Sequence, residues 1–177
     1  MKNQLQGEGM SLKRIDTADI TDNPFSLIGD DWMLITSGTL DSHNMMTASW
    51  GGLGILWHKP VSFIFIRPQR HTFNFVESND VYTLNFMEEK HRNALKYCGS
   101  HSGRDVNKTI ETGLTPVESE NGCVYFEESR LVIECRTIYY QDIDPAHFLS
   151  PDIEKLYNND YHRMYVGEVI QCLSAEG

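Results

Sequence analysis

The 177-residue sequence lacks the signatures by which several common chemistries show themselves. Its four cysteines, Cys98, Cys123, Cys135 and Cys172, form no C-x-x-C pair. Neither a thiolate zinc site nor a thioredoxin-type redox pair is therefore written here, and reduced thiols are expected. The seven histidines are dispersed and no H-E-x-x-H occurs, which leaves no metal site to expect. A G-x-S-x-G nucleophile elbow is missing, as is the G-x-G-x-x-G of a dinucleotide-binding fold. "YCGSHSGRDVNK" (Tyr97–Lys108) shares only its composition with a P-loop, because Gly103 is followed by Arg104 and Asp105. Its plain reading is a helix cap at Asp105 or a nearby serine.

Positive charge is scarce: 15 Lys and Arg against 25 Asp and Glu give a formal net charge of −10. Such a field repels phosphate backbones and anionic lipid, so neither nucleic acid nor a membrane surface is expected as a partner. A local cluster of arginines can still hold an anionic small molecule. No stretch approaches a span of about 20 apolar residues, and the N-terminus lacks the apolar core of a signal peptide, which points to a cytoplasmic protein. No repeat, low-complexity tract or linker divides the chain. A single domain over residues 15–177 is expected, preceded by a flexible polar arm over residues 1–14.

What is present is mostly β-prone. "WMLITSGT" (Trp32–Thr39), "MMTASW" (Met45–Trp50), "VSFIFI" (Val61–Ile66) and "VYTLNF" (Val81–Phe86) read as strands separated by turn residues. Helices are expected after Pro68, ending near Asn79, then over "MEEKHRNALKYCG" with Gly99 as its cap, and from Asp105 to Glu111 with Gly113 as its stop. "RLVIECRTIYYQDI" (Arg130–Ile143) and "YHRMYVGEVIQCLS" (Tyr161–Ser174) are long for strands and suit a curved barrel wall better than a flat sandwich. The expectation is a mainly β fold: an antiparallel barrel with peripheral helices.

Three segments could carry chemistry. "NMMTASWGG" (Asn44–Gly52) combines small hydroxyl residues and an amide with Met and Trp, as a flat heteroaromatic ligand requires, and Gly51, Gly52 and Gly54 would let backbone approach it. The competing reading is a strand that packs its Met and Trp into a core. "IRPQRHT" (Ile66–Thr72) places two Arg and a Thr where a strand hands over to a helix, a ready phosphate site, although a solvated loop paired with acidic residues has the same composition. On a strand over Tyr161–Leu173, His162 would share a face with Met164 and Val166, either as a cofactor-facing group or as a satisfied core histidine.

Taken in order, "NMMTASWGGLGILWHKPVSFIFIRPQRHTFNFVESNDVYTLNF", "KYCGSHSGRDVNK", "RLVIECRTIYY" and "YHRMYVGEV" resemble the flavin reductase-like family in its flavoredoxin-type branch, over Phe25 to Cys172. The resemblance implies a split β-barrel binding FMN non-covalently as a homodimer. Electrons would pass from NAD(P)H through the flavin to free flavin or a redox protein partner. It implies that Asn44, Met45, Met46, Thr47, Ala48, Ser49 and Trp50 line the isoalloxazine and ribityl chain, and that Arg67, Arg70 and Thr72 hold the phosphate. Lys108 and His162 would lie near the ring or the nicotinamide, with His162 the catalytic candidate.

In one place the chain departs from that pattern. Where many members carry Gly-Asp-His, this chain reads Asn159-Asp160-Tyr161-His162, with a Tyr inserted. An FMN electron carrier that does not itself oxidise NAD(P)H is therefore the alternative. A barrel holding heme or a pyridoxal derivative is a third reading.

Overall fold

The structure, a computed structural model, describes residues 11–175. In chain order it comprises β1 (Leu12–Ile15), α1 (Pro24–Ser26), β2 (Met33–Gly38), β3 (His43–Ala48), β4 (Gly51–Leu56), β5 (Lys59–Ile66), α2 (His71–Ser78), β6 (Val81–Met87), α3 (Arg92–Ser100), α4 (Lys108–Thr112), β7 (Pro116–Glu118), β8 (Val124–Phe126), β9 (Ser129–Asp142), α5 (Pro151–Glu154) and β10 (Arg163–Ala175). Ten residues of the expected flexible arm lie outside the described residues. Its end does not fit that description, because Leu12–Ile15 pairs antiparallel with the end of β10.

All pairings are antiparallel, in the order β3-β2-β6-β9-β10-β5-β4, with β1 also on β10 and β7-β8 forming a separate ribbon. β10 pairs with β9 along most of its length, but its other edge pairs first with β5 and then with β1. This change of partner, with register shifts at Val166/Gly167 and Val169/Gln171, bends the sheet into a split barrel. Gly167 sits at the bend because a Cβ there would collide with the Tyr82 hydroxyl and lie 2.9 Å from Cys135 Cβ.

Every residue of β2 is buried. Leu27, Ile35, Leu84, Phe86 and Tyr165 belong to the main core, whereas Leu34, Met45, Leu95, Cys98 and Phe126 form a second cluster that includes α3. Sheet residues alternate between these two apolar layers, which is why the strand sequences read as nearly continuous apolar runs. Asn85, fully buried between the strands, satisfies its amide by donating to the Leu34 carbonyl and to Thr83 and by accepting from the Phe126 N–H.

Local expectations are corrected at four places. Gly51, Gly52 and Gly54 lie in an edge strand, β4, hydrogen-bonded to β5, where the sequence marked no strand. Gly99 is inside α3, which runs to Ser100 with His101 as its cap. Asn107, not Asp105 or a serine, caps α4 by accepting from the Ile110 N–H. β10 starts at Arg163, so His162 precedes the strand and its orientation is set by other contacts. Among the described residues, no helix is long and apolar enough to cross a membrane.

Candidate functional site

β3 is a terminal strand: β2 covers one edge, and among the described residues no strand lies beside the other. Unpaired strand N–H and C=O groups must find partners elsewhere. Along this edge lies a cavity of about 540 Å³, walled by Met46–Trp50, the β5–α2 junction from Phe65 to Thr72, the turn Ser100–Gly103, Lys108 and His162.

The end of the cavity near the start of β3 is basic and polar. Lys108 is buried, and its ammonium donates to the Met45 carbonyl and the Cys98 carbonyl at 2.8 Å each. Burial lowers its pKa, with Arg70 adding to the effect. Arg70 donates to the Gly99 carbonyl at 3.1 Å, which anchors the guanidinium beside the cavity. Among the described residues no side chain caps the first turn of α2, where Arg70 itself is the N-cap residue. Asn44 donates to Thr72 at 2.7 Å, and its amide oxygen lies so close to Gly103 that no Cβ would fit. His71 Nδ1 is buried without a hydrogen-bond partner among the described residues. Its pKa is lowered by burial and by the Arg104 and Lys108 charges. Cations beside a hydroxyl on one cavity wall suit an oxyanion ligand.

Further along β3 the cavity becomes aromatic. The Trp50 ring centroid is 5.2 Å from that of His162, and Phe65 contributes to the same wall. His162 is buried, and its Nδ1 lies 3.0 Å from the Tyr157 hydroxyl. Burial, reinforced by the Arg67 charge, pulls its pKa down to about 4, so the imidazole is neutral at pH 7. Trp50 is five positions beyond Met45 along β3 and the two residues that follow it, a distance on the order of 15 Å. The cavity thus has the polarity of a mononucleotide: charge at one end, a flat apolar surface at the other.

Most of the residues expected from the sequence gather here. Met46, Thr47, Ala48, Ser49, Trp50, Arg67, Arg70, Thr72, Lys108 and His162 all line the cavity. Asn44 and Met45 do not. Asn44 stands behind Thr72 as its hydrogen-bond partner, and Met45 turns its side chain into the second core cluster while its carbonyl holds Lys108. Lys108 accordingly belongs with Arg70 and His71 at the basic end, away from the aromatic wall.

Arg67 reaches the cavity wall, but its guanidinium is 2.6 Å from the Asp160 carboxylate and also donates to the Leu156 carbonyl. His71, Ser102, Gly103 and Tyr157 were not singled out by sequence. His71 lies within "IRPQRHT" and could have been taken with its neighbours, whereas nothing local marks Tyr157. The four cysteines are all buried and unpaired. Burial raises each thiol, Cys98 and Cys172 to about 11, which removes them from thiolate chemistry near neutral pH.

The family model described as "Flavin reductase like domain" matches residues 26–177. No curated protein matches the sequence. Among solved structures, the FMN-binding domain of a flavin reductase-like enzyme from Shewanella baltica superposes with a TM-score of 0.69 at 15% identity, covering 94% of this chain and 78% of that one. Flavoredoxin of Desulfovibrio vulgaris gives 0.65 at 20% identity, covering 99% and 77%. An NADH:FAD oxidoreductase from Streptomyces globisporus gives 0.61 at 15% identity, covering 82% and 81%.

Proposed function

The chain belongs to the flavin reductase-like family, and on that premise we propose that it is an FMN-dependent oxidoreductase. It accepts hydride from NADH or NADPH at the bound flavin and delivers the electrons to free flavin or to a protein acceptor. The observation that carries this reading is the polarity of the cavity, basic and hydroxyl-bearing beside Arg70, His71, Thr72 and Lys108, aromatic beside Trp50 and His162. The residues fit FMN. Arg70, Lys108 and the Thr72 hydroxyl form a donor set suited to a phosphate, and Gly103, lacking a side chain, leaves room for the Asn44 amide that holds Thr72.

When bound, the flavin supplies hydride acceptance and electron transfer, chemistry that no side chain of the site has by itself. Arg70 and Lys108 hold the phosphate. The two carbonyls that accept from Lys108 fix its ammonium and leave one N–H for the ligand. The edge of β3 at Thr47 and Ala48, with Ser49 and Trp50 after it, offers backbone groups to the heteroatoms of a flat ring, and Trp50 shields that ring from water. His162, neutral and packed against Trp50, would lie beside the ring.

The same reading includes a homodimer. β4 presents an unpaired edge at the opposite end of the sheet, and Ile55, Trp57 and Tyr139 are exposed at 73%, 55% and 41%. Such an apolar surface suits a second copy of the chain. Sedimentation at micromolar concentration tests this, and a monomer would count against a site shared between subunits. A cytoplasmic setting agrees with the unpaired buried cysteines.

One observation favours the carrier alternative. Asp160 is engaged by Arg67 and Gln69, so the Asp-Tyr-His run does not form a carboxylate–histidine pair for docking nicotinamide. The deciding experiment is the visible spectrum of the purified protein with mass identification of the released ligand, followed by anaerobic addition of NADH and NADPH. FMN bleached rapidly by either nucleotide supports the reductase. FMN that is not bleached supports the carrier, and a protein that neither carries nor binds FMN refutes both.

A further inference from the structure

The segment that connects β9 to β10 contributes nothing to the barrel, yet it is tied down at several points. It is pinched at its base, where the Ile143 N–H donates to the His162 carbonyl at 3.0 Å. Within it, the Phe148 and Tyr157 rings stack at 5.9 Å with 16° between their planes, and Tyr161 packs 5.0 Å from Tyr157. Arg67 reaches across from the β5–α2 junction to hold the Asp160 carboxylate and the Leu156 carbonyl, and its guanidinium lies 5.2 Å from the centre of the Tyr157 ring. All of this converges on one contact. Tyr157 meets His162 edge to face, with centroids 5.4 Å apart at 80°, and its hydroxyl lies 3.0 Å from Nδ1.

We propose that Tyr157 is the positioning residue for His162: its hydroxyl donates to Nδ1, confines the imidazole proton to Nε2 and thereby presents an N–H donor to the cavity. Three observations lead there. Nδ1 has Tyr157 as its hydrogen-bond partner, while His162 lines the cavity and its ring packs against Trp50. Burial raises the Tyr157 pKa, so the phenol keeps its proton, and His162 is neutral and must adopt one tautomer or the other. Between a phenol and a neutral imidazole, the phenol is the better donor and the bare ring nitrogen the better acceptor. The groups that face His162 are the Arg67 and Arg70 guanidinium groups, the Asp160 carboxylate, the Tyr157 hydroxyl and the Trp50 indole.

The functional consequence rests on the reading of the cavity as a flavin site. An N–H donor favours a carbonyl oxygen or a developing negative charge on the reacting ligand, whereas a bare nitrogen would favour a donor. The orienting hydroxyl comes from five residues upstream of His162, in place of the carboxylate of the Asp-Tyr-His run.

The test is the tautomer itself. Two-bond proton–nitrogen correlation spectra of the 15N-labelled full chain, with the His162 signals assigned by their loss in H162Q, distinguish the two forms near pH 7. Wild type is expected to show the Nε2–H form. Y157F, which keeps the ring and its packing, is expected to lower the ratio of Nε2–H to Nδ1–H by about tenfold, the worth of one hydrogen bond. D160N, which loosens the segment but keeps the hydroxyl, is expected to retain the wild-type ratio. An Nδ1–H form in wild type, an unchanged ratio in Y157F, or an equal loss in D160N would each overturn the proposal. The spectra are recorded without added flavin or nicotinamide, so failure of the flavin reading would appear in the absorption experiment and leave this result interpretable.

Discussion

The Arg67 guanidinium lies 2.6 Å from the Asp160 carboxylate, joining the β5–α2 junction to the segment before β10. Asp160 also accepts from the Asn158 N–H and from Gln69, and together these bonds pull its pKa down to about 2. Two arginines three residues apart therefore have different duties. Arg67 holds the chain to itself, and Arg70, anchored by the Gly99 carbonyl, lines the cavity.

That division predicts a contrast between variants. R70A should weaken FMN by about ten- to a hundredfold, the worth of a charge-assisted hydrogen bond, while riboflavin changes little. R67A should weaken FMN less and instead make residues 144–161 more susceptible to limited proteolysis. Fluorescence titration with both ligands, beside timed proteolysis, reads the two effects. Equal losses of FMN and riboflavin in R70A would remove it from phosphate binding.

The pH dependence of stability should carry the mark of His162. Its pKa is about 4 in the folded protein and about 6.5 as the ordinary value. Between those values the unfolded chain binds a proton that the folded chain does not, so stability is fully present above about pH 6.5 and falls as pH drops toward 4. Thermal unfolding across that window should show a shallower decline in H162Q than in wild type. Parallel declines would mean that other groups govern acid stability.

Much of the barrel was legible because its strands are buried on both faces. Leu34 enters one apolar cluster and its neighbour Ile35 the other, and such alternation leaves a continuous apolar run in the sequence. β4 was not legible, since "GGLGIL" has little strand propensity and becomes a strand through pairing with β5. The site was legible as a set of segments and less so as a set of roles. Arg67 and Arg70 carry the same local signal, and what separates them is a carboxylate 93 residues away in sequence. The orphaned His71 nitrogen and the Tyr157–His162 contact are likewise products of packing between elements, not of any spacing.

Lys108 is expected to serve structure and ligand together. K108M removes the donor from two backbone carbonyls, those of Met45 and Cys98. Leaving buried acceptors unpartnered costs about 1–3 kcal/mol. Urea unfolding should show that loss, and FMN affinity should fall with it. A variant as stable as wild type would show that water replaces the ammonium.

Gly103 provides the sharpest test of how the basic end is built. A Cβ at this position would overlap the Asn44 amide oxygen and lie 3.2 Å from the His71 ring. Asn44 cannot retreat freely, because it is buried and donates to Thr72, which lines the cavity. G103A should therefore displace the Asn44 side chain, break its bond to Thr72 and disturb the phosphate end while leaving the barrel folded, since Gly103 belongs to no strand. The expected result is a loss of FMN affinity of about tenfold, one hydrogen bond's worth, with riboflavin affected less. N44A in the same background should relieve the overlap but not restore the bond to Thr72. The double variant should then bind FMN about as weakly as N44A alone, and a further loss beyond N44A would show that the collision falls on His71 instead.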